Sequence, residues 1–119
     1  MTINKALEIA DDLRPNAFTP DRKAEWVIAV DGRVNAEVVK ATDYAAPEYP
    51  ADQETELLVP SPYDDIYQIY VMAQIALYQK DYDEYNALGQ TFNDQFKAYA
   101  SYYNRTHSPA QPNSIKNLW

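Results

Sequence analysis

Apolar positions recur at three- and four-residue steps along most of the chain, and proline, serine, threonine and aspartate break the pattern at intervals. Thr2 has the form of a helix N-cap, and Ile3, Ala6, Leu7, Ala10 and Leu13 after it predict a short one-faced helix that Arg14-Pro15 ends. Thr19-Pro20 then places a capping hydroxyl before a proline at the first helical position, with Asp21 in the first turn. The spacing of Trp26, Val27, Val30, Val34 and Val38, interleaved with Arg22, Glu25, Arg33 and Glu37, predicts a second helix running to Lys40 or Ala41. Gly32 lies inside it and marks either a close helix crossing or a position where glycine is simply tolerated.

Residues 42–61 lose the period. Pro47, Pro50 and Pro60 and a run of acids predict a long acidic loop, within which Leu57 and Val59 belong either to a short strand or to a peptide laid over the core. Ser61-Pro62, with Asp64 three residues after the serine, repeats the cap-and-proline signal and predicts a third helix from Pro62 to Lys80, apolar nearly all round between Ile69 and Leu77. Asp81 with Glu84 predicts a fourth helix reaching Arg105. On it Tyr85, Leu88, Phe92, Phe96, Tyr99 and Tyr103 hold one face, and Asp83, Asn86, Gln90, Asp94 and Lys97 the other. The tight turn at Lys80-Asp81 makes these two helices an antiparallel hairpin. The expected fold is therefore all-α, a small bundle of four helices with a long acidic loop. It forms one domain over residues 1–105, followed by a polar, proline-broken tail over 106–119.

With 119 residues the chain fits one core, and the absence of cysteine excludes disulfides, thiolate catalysis and a cysteine zinc site. The start of the sequence has no secretory signal pattern, and the longest strongly apolar stretch, Ile69–Tyr78, falls well short of the roughly 20 residues a spanning helix needs. The expectation is no membrane association. The net charge of −8 is unevenly placed: from Ala41 to Gln79 there is no Lys, Arg or His, while Asp43, Glu48, Asp52, Glu54, Glu56, Asp64 and Asp65 all fall there. Without clustered cations the chain is not expected to bind nucleic acid sequence-specifically. The acidic segment reads as a solvated loop, or as a surface that keeps an assembly subunit soluble or lines a channel through which DNA slides.

Candidate chemistry is sparse. His107 is the sole histidine and stands at the end of the fourth helix, where a cation complements the dipole. Asp11-Asp12 and Asp64-Asp65 are adjacent pairs whose members point apart on a helix. Gly32 and Gly89 are the only glycines, so there is no phosphate-cradling loop, and no metal-ligand spacing occurs. The reading is of a protein that is not an enzyme and needs no cofactor or metal. What the chain has instead is tyrosine, with nine of its eleven between Pro62 and Pro109. Ile66, Leu77, Leu88, Phe92 and Phe96 are expected to form the core. Nine tyrosines are too many for so small a core, so Tyr63, Tyr67, Tyr70, Tyr78, Tyr99 and Tyr102 are the candidate subunit interface. Ile115, Leu118 and Trp119 give the tail apolar anchors for a partner.

Several of these segments together carry a family likeness. Residues 6–16 (ALEIADDLRPN), Trp26 and Asp31-Gly32-Arg33, Leu58 to Tyr67 (LVPSPYDDIY), Tyr82 to Asn86 (YDEYN), Phe92-Asn93 and Tyr103 to His107 (YNRTH) resemble head-tail connector (adaptor) proteins of long-tailed phages and prophages. The resemblance implies a small helical structural protein that forms a homo-oligomeric ring under the portal of the filled head. Such a ring joins portal to the next head-completion or tail component and continues the DNA channel. It implies residence in the virion at the head-tail junction, and in the bacterial host cytoplasm during assembly. In such proteins a terminal segment reaches along the portal, which would suit the tail with Ile115, Leu118 and Trp119. Two other readings stay open on the residues alone: a host-encoded helical adaptor that dimerises through the third and fourth helices, and an acidic regulator that mimics DNA.

Overall fold

The computed structural model describes residues 1–107. Its elements are α1 (Ile3–Leu13), α2 (Pro20–Val34) continuing as a π-helical turn (Asn35–Val39), α3 (Ile66–Tyr78) and α4 (Tyr82–His107), and no strand occurs among the described residues. The all-α expectation holds, with α3 and α4 sharing the most extensive contact.

Local chemistry explains most of the boundaries. Thr2 Oγ1 accepts from the Lys5 amide (3.1 Å) and Thr19 Oγ1 from the Arg22 amide (3.2 Å), satisfying amides that the first turns leave open. The π-helical turn that continues α2 ends where Lys40 takes a left-handed conformation (φ 58°). There the Asn35 side chain accepts from the Ala41 amide (3.0 Å) and donates to the Ala41 carbonyl (3.2 Å), clamping both ends of the π-helical turn. α3 ends in a Schellman motif: Asp81 N–H donates to Ala76 O (2.9 Å) and Lys80 N–H to Leu77 O (3.0 Å), with Lys80 left-handed at φ 63°. That reversal forms the hairpin.

Two boundaries depart from expectation. α3 starts at Ile66 rather than Pro62, and no side chain caps it, so the Ser61/Asp64 capping box does not form. Tyr63 N–H donates instead to Pro60 O (2.9 Å), and this turn lets the Tyr63 ring reach α4 while the Val59 amide meets the Tyr67 hydroxyl (3.0 Å). α4 runs to His107, two residues past the expected end. Ser108 to Trp119 lie outside the described residues.

The core joins one face of each helix: Ile3, Leu7 and Ala10 of α1, Val27, Val30 and Val34 of α2, Ile66, Tyr67, Val71 and Ile75 of α3, and Phe92, Phe96 and Tyr99 of α4. Leu77 and Leu88, expected in the core, are only half-buried, because the hairpin turns its tightest seam toward Tyr70, Phe92 and Phe96. Gly32 makes no close crossing: a Cβ there would meet nothing within 4 Å. Residues 42–61 form an irregular strap. Leu57 and Val59 are buried, so the segment is a peptide laid over the core and not a strand.

Candidate functional site

The strap is held by one buried carboxylate. Asp31 shares the inner face of α2 with Val27, Val30 and Val34 and is 2% exposed. Its Oδ1 accepts from the Tyr67 hydroxyl (2.6 Å) and the Leu58 amide (2.9 Å), and its Oδ2 from the Tyr44 hydroxyl (2.9 Å). Tyr67 in turn accepts from the Val59 amide (3.0 Å). Where the strap crosses the core, the amides of Leu58 and Val59 are therefore tied to α2 and α3, while the Leu57 amide donates to Met1 O (2.9 Å), so these backbone donors are not left unpaired in apolar surroundings. Burial, reinforced by the nearby Asp31 charge, pushes the Tyr67 hydroxyl above its ordinary pKa. Burial and the hydrogen bond to Asp31 do the same for Tyr44. Both phenols stay neutral donors. A cleft of about 240 Å3 lies under the strap, with Asp31, Tyr44, Leu57 and Leu58 among its walls. Near its middle the strap meets α1, where Asn4 N–H donates to Gln53 O (3.0 Å) and Asn4 Nδ2 to the Glu54 carboxylate (2.9 Å).

The tyrosines divide. Tyr67 is fully buried and Tyr99 is 2% exposed, so these two are core residues and not the interface expected of them. Tyr67 turns inward because its hydroxyl has a charged acceptor there. Tyr99 does so because Tyr63 (5.8 Å) and Tyr103 (6.0 Å) close over it, and burial raises its pKa, with the neighbouring Tyr103 and Tyr102 adding to the effect. Tyr63 and Tyr102 pack on each other at 5.0 Å and remain half-buried. Tyr70, also half-buried, leans on Phe92 (5.3 Å), and the Arg33 guanidinium lies 4.8 Å from the Phe96 ring centre, a cation–π contact that links α2 to the hairpin.

Tyr78 is the interface candidate that stays exposed, at 55%. It stacks on Trp26 (5.9 Å, 8° between planes), and Phe18 meets the edge of Trp26 at 5.6 Å. Arg14 Nη2 bonds Gln79 Oε1 and Asp81 Oδ2, both at 3.0 Å, which fixes the end of α1 beside the hairpin turn. Leu13, Tyr78 and Tyr82, the large exposed apolar residues among those described, thus gather at one end of the molecule. The tail anchors Ile115, Leu118 and Trp119 lie outside the described residues.

His107 stacks on Tyr103 (3.9 Å, 4° between planes), and its Nδ1 lies 2.8 Å from Thr106 Oγ1, a local arrangement at a helix end. Burial, with the adjacent Asp64 charge, raises the pKa of Asp65. Among the described residues no cluster of three or more His, Cys, Asp or Glu side chains is placed to hold a metal ion, and no helix is long and apolar enough to cross a membrane. Sequence reasoning missed Asp31 and Tyr44. The available signal was an acid on the buried face of α2, one residue after Val30 and three before Val34, where a carboxylate requires donors.

No family model, curated protein or solved structure matches the chain.

Proposed function

We propose that the protein is a structural subunit of a phage or prophage head-tail connector, which forms a ring on the virion between portal and tail and continues the DNA channel. Its work is association and not chemistry. The observation that carries the reading is the exposed cluster of Leu13, Tyr78 and Tyr82 beside the Trp26–Tyr78 stack, an aromatic surface of the composition that subunit interfaces favour. Tyr63, Tyr70 and Tyr102, half-buried in the isolated subunit, add contact area for a neighbouring copy. The strap supports the same reading. Its exposed acids Asp43, Glu48 and Glu54 sit on a segment with no Lys, Arg or His of its own, where among the described residues only Glu56 is ion-paired, with the N-terminal ammonium (2.9 Å), a surface suited to repel DNA and let it slide. The tail with Ile115, Leu118 and Trp119 is assigned to the portal in this proposal.

Electron microscopy of particles from a phage lacking this gene tests the proposal. Separate DNA-filled heads and free tails are expected, and tailed, DNA-filled particles would refute it. A pull-down against portal protein distinguishes the connector from an acidic DNA mimic, which would ignore the portal.

A further inference from the structure

The outer face of α4 has no partner within the chain, and it is complementary to itself. A shallow groove of about 530 Å3 runs along this face from Tyr85 to Lys97 with Gly89 near its middle. Glycine in a helix interior weakens the helix, and a Cβ at Gly89 would meet nothing within 4 Å, so no contact inside the chain calls for it. A second helix laid across the groove would use the gap.

Reversing the stripe about the point between Gly89 and Gln90 maps it onto itself. Tyr85 then faces Asp94, a phenol donor against a carboxylate. Asn86 faces Asn93, two amides able to exchange hydrogen bonds, and Gln90 enters the space that Gly89 leaves. One step further out, Lys97 faces the ring of Tyr82, which is 56% exposed and free to meet a cation. Asp94 and Lys97 form no ion pair within the described residues, and Asn86, Gln90, Asn93, Asp94 and Lys97 are all exposed. A parallel arrangement sets each residue near its own copy, Asp94 against Asp94 and Lys97 against Lys97, and like charges then repel. A two-fold interface requires that residue i meet j while j meets i, and the antiparallel register alone gives every member of the stripe a chemically matched partner.

We propose that α4 is a self-association surface whose occupant is a second copy of this chain, its α4 antiparallel and centred between Gly89 and Gln90. The interface is polar and narrow, so the dimer forms reversibly at high protein concentration. It does not depend on the connector reading, which rests on Leu13, Tyr78, Tyr82 and the Trp26 stack; the two surfaces share Tyr82 alone, and the stripe from Tyr85 to Lys97 carries this proposal without it.

The cysteine-free chain permits a direct test. Full-length Asn86→Cys and Asn93→Cys proteins are made, and each alone and an equimolar mixture are oxidised. The mixture is expected to yield the mixed disulfide, joining position 86 of one variant to position 93 of the other, in large excess over either homodimer. The reason is that about seven residues of helix, roughly 10 Å, separate each position from its own copy in this register. Sedimentation equilibrium up to about 1 mM protein is expected to show a monomer–dimer equilibrium that Gly89→Leu weakens at least about tenfold by filling the gap. Circular dichroism confirms that the variants remain folded. Homodisulfides as abundant as the mixed disulfide, a monomer throughout the range, or a dimer indifferent to Gly89→Leu would each overturn the proposal. A larger cyclic oligomer without the mixed disulfide would overturn it too, by showing that copies meet through another face.

Discussion

Replacing Asp31 by asparagine removes one charge at nearly constant shape and isolates what the carboxylate contributes to the strap. In the native chain Asp31 receives three hydrogen bonds, from Tyr67, Leu58 and Tyr44. Bonds to a charged acceptor contribute about 1.5–3 kcal/mol and neutral ones about 0.5–1.5 kcal/mol, so the substitution weakens each by roughly 1 kcal/mol. The loss at Tyr44 is smaller, because that side chain is only half-buried and water reaches it. Part of the loss is returned, since a buried charge is costlier to desolvate than an amide. The net destabilisation is about 2 kcal/mol, against a total stability of about 5–15 kcal/mol for a domain of this size. Asp31→Asn therefore still folds, with its urea midpoint lowered by about 1 M. Hydrogen exchange localises the effect: the Leu58 and Val59 amides, which donate to Asp31 and Tyr67, exchange at least about tenfold faster, while those in the middle of α4 change only with the global stability. A midpoint unchanged within about 0.2 M, together with unaltered exchange at Leu58 and Val59, would rule out the anchoring role.

Two further outcomes follow from the same structure. Gly32→Ala adds a Cβ that meets nothing within 4 Å inside a helix, so it raises stability by about 0.5–1 kcal/mol in urea unfolding, and a decrease would mean that the position needs glycine after all. Tyr67 and Tyr44 have pKa values raised in the folded chain above the ordinary 10.0, so their contribution is fully present below pH 10 and is lost as pH rises beyond it. Stability falls by about 1.4 kcal/mol per pH unit above 10 for the buried Tyr67 alone. Urea unfolding at a series of alkaline pH values checks the slope, which Tyr67→Phe should flatten; a slope unaffected by that substitution would count against the assignment.

Much of the fold was legible because it rests on short-range rules. Thr2 and Thr19 cap the first two helices as their positions imply, the second helix reaches the Lys40 region, and the hairpin turns at Lys80-Asp81. The start of α3 was not legible, because Ser61-Pro62 carries a local cap signal that loses to a long-range demand: Tyr67 must bridge Asp31 and the Val59 amide, which are 36 and 8 residues away in sequence. The tyrosines illustrate the same limit. Spacing places Tyr63, Tyr67, Tyr70 and Tyr99 on helical faces, yet it says nothing of which hydroxyl finds a buried acceptor, and that alone sends Tyr67 inward. Asp31 escapes a reading by spacing because the apolar set of its helix is complete without it, and its donors come from a strap and a helix distant in sequence. Gly89 and the α4 stripe gain meaning only once the other face of α4 is known to be taken by α3.

The strap also gives the molecule its own response to ionic strength. Its inward attachment is a set of hydrogen bonds to a carboxylate shielded from solvent, which dissolved ions barely weaken. Its hold on the start of α1 is of another kind: Glu56 pairs with the N-terminal ammonium (2.9 Å) and Glu54 accepts from Asn4 Nδ2 (2.9 Å), both at exposed positions that dissolved ions reach. The strap thus has two attachments that differ in their sensitivity to salt. Added salt loosens the edge on α1 and leaves the grip on α2 and α3.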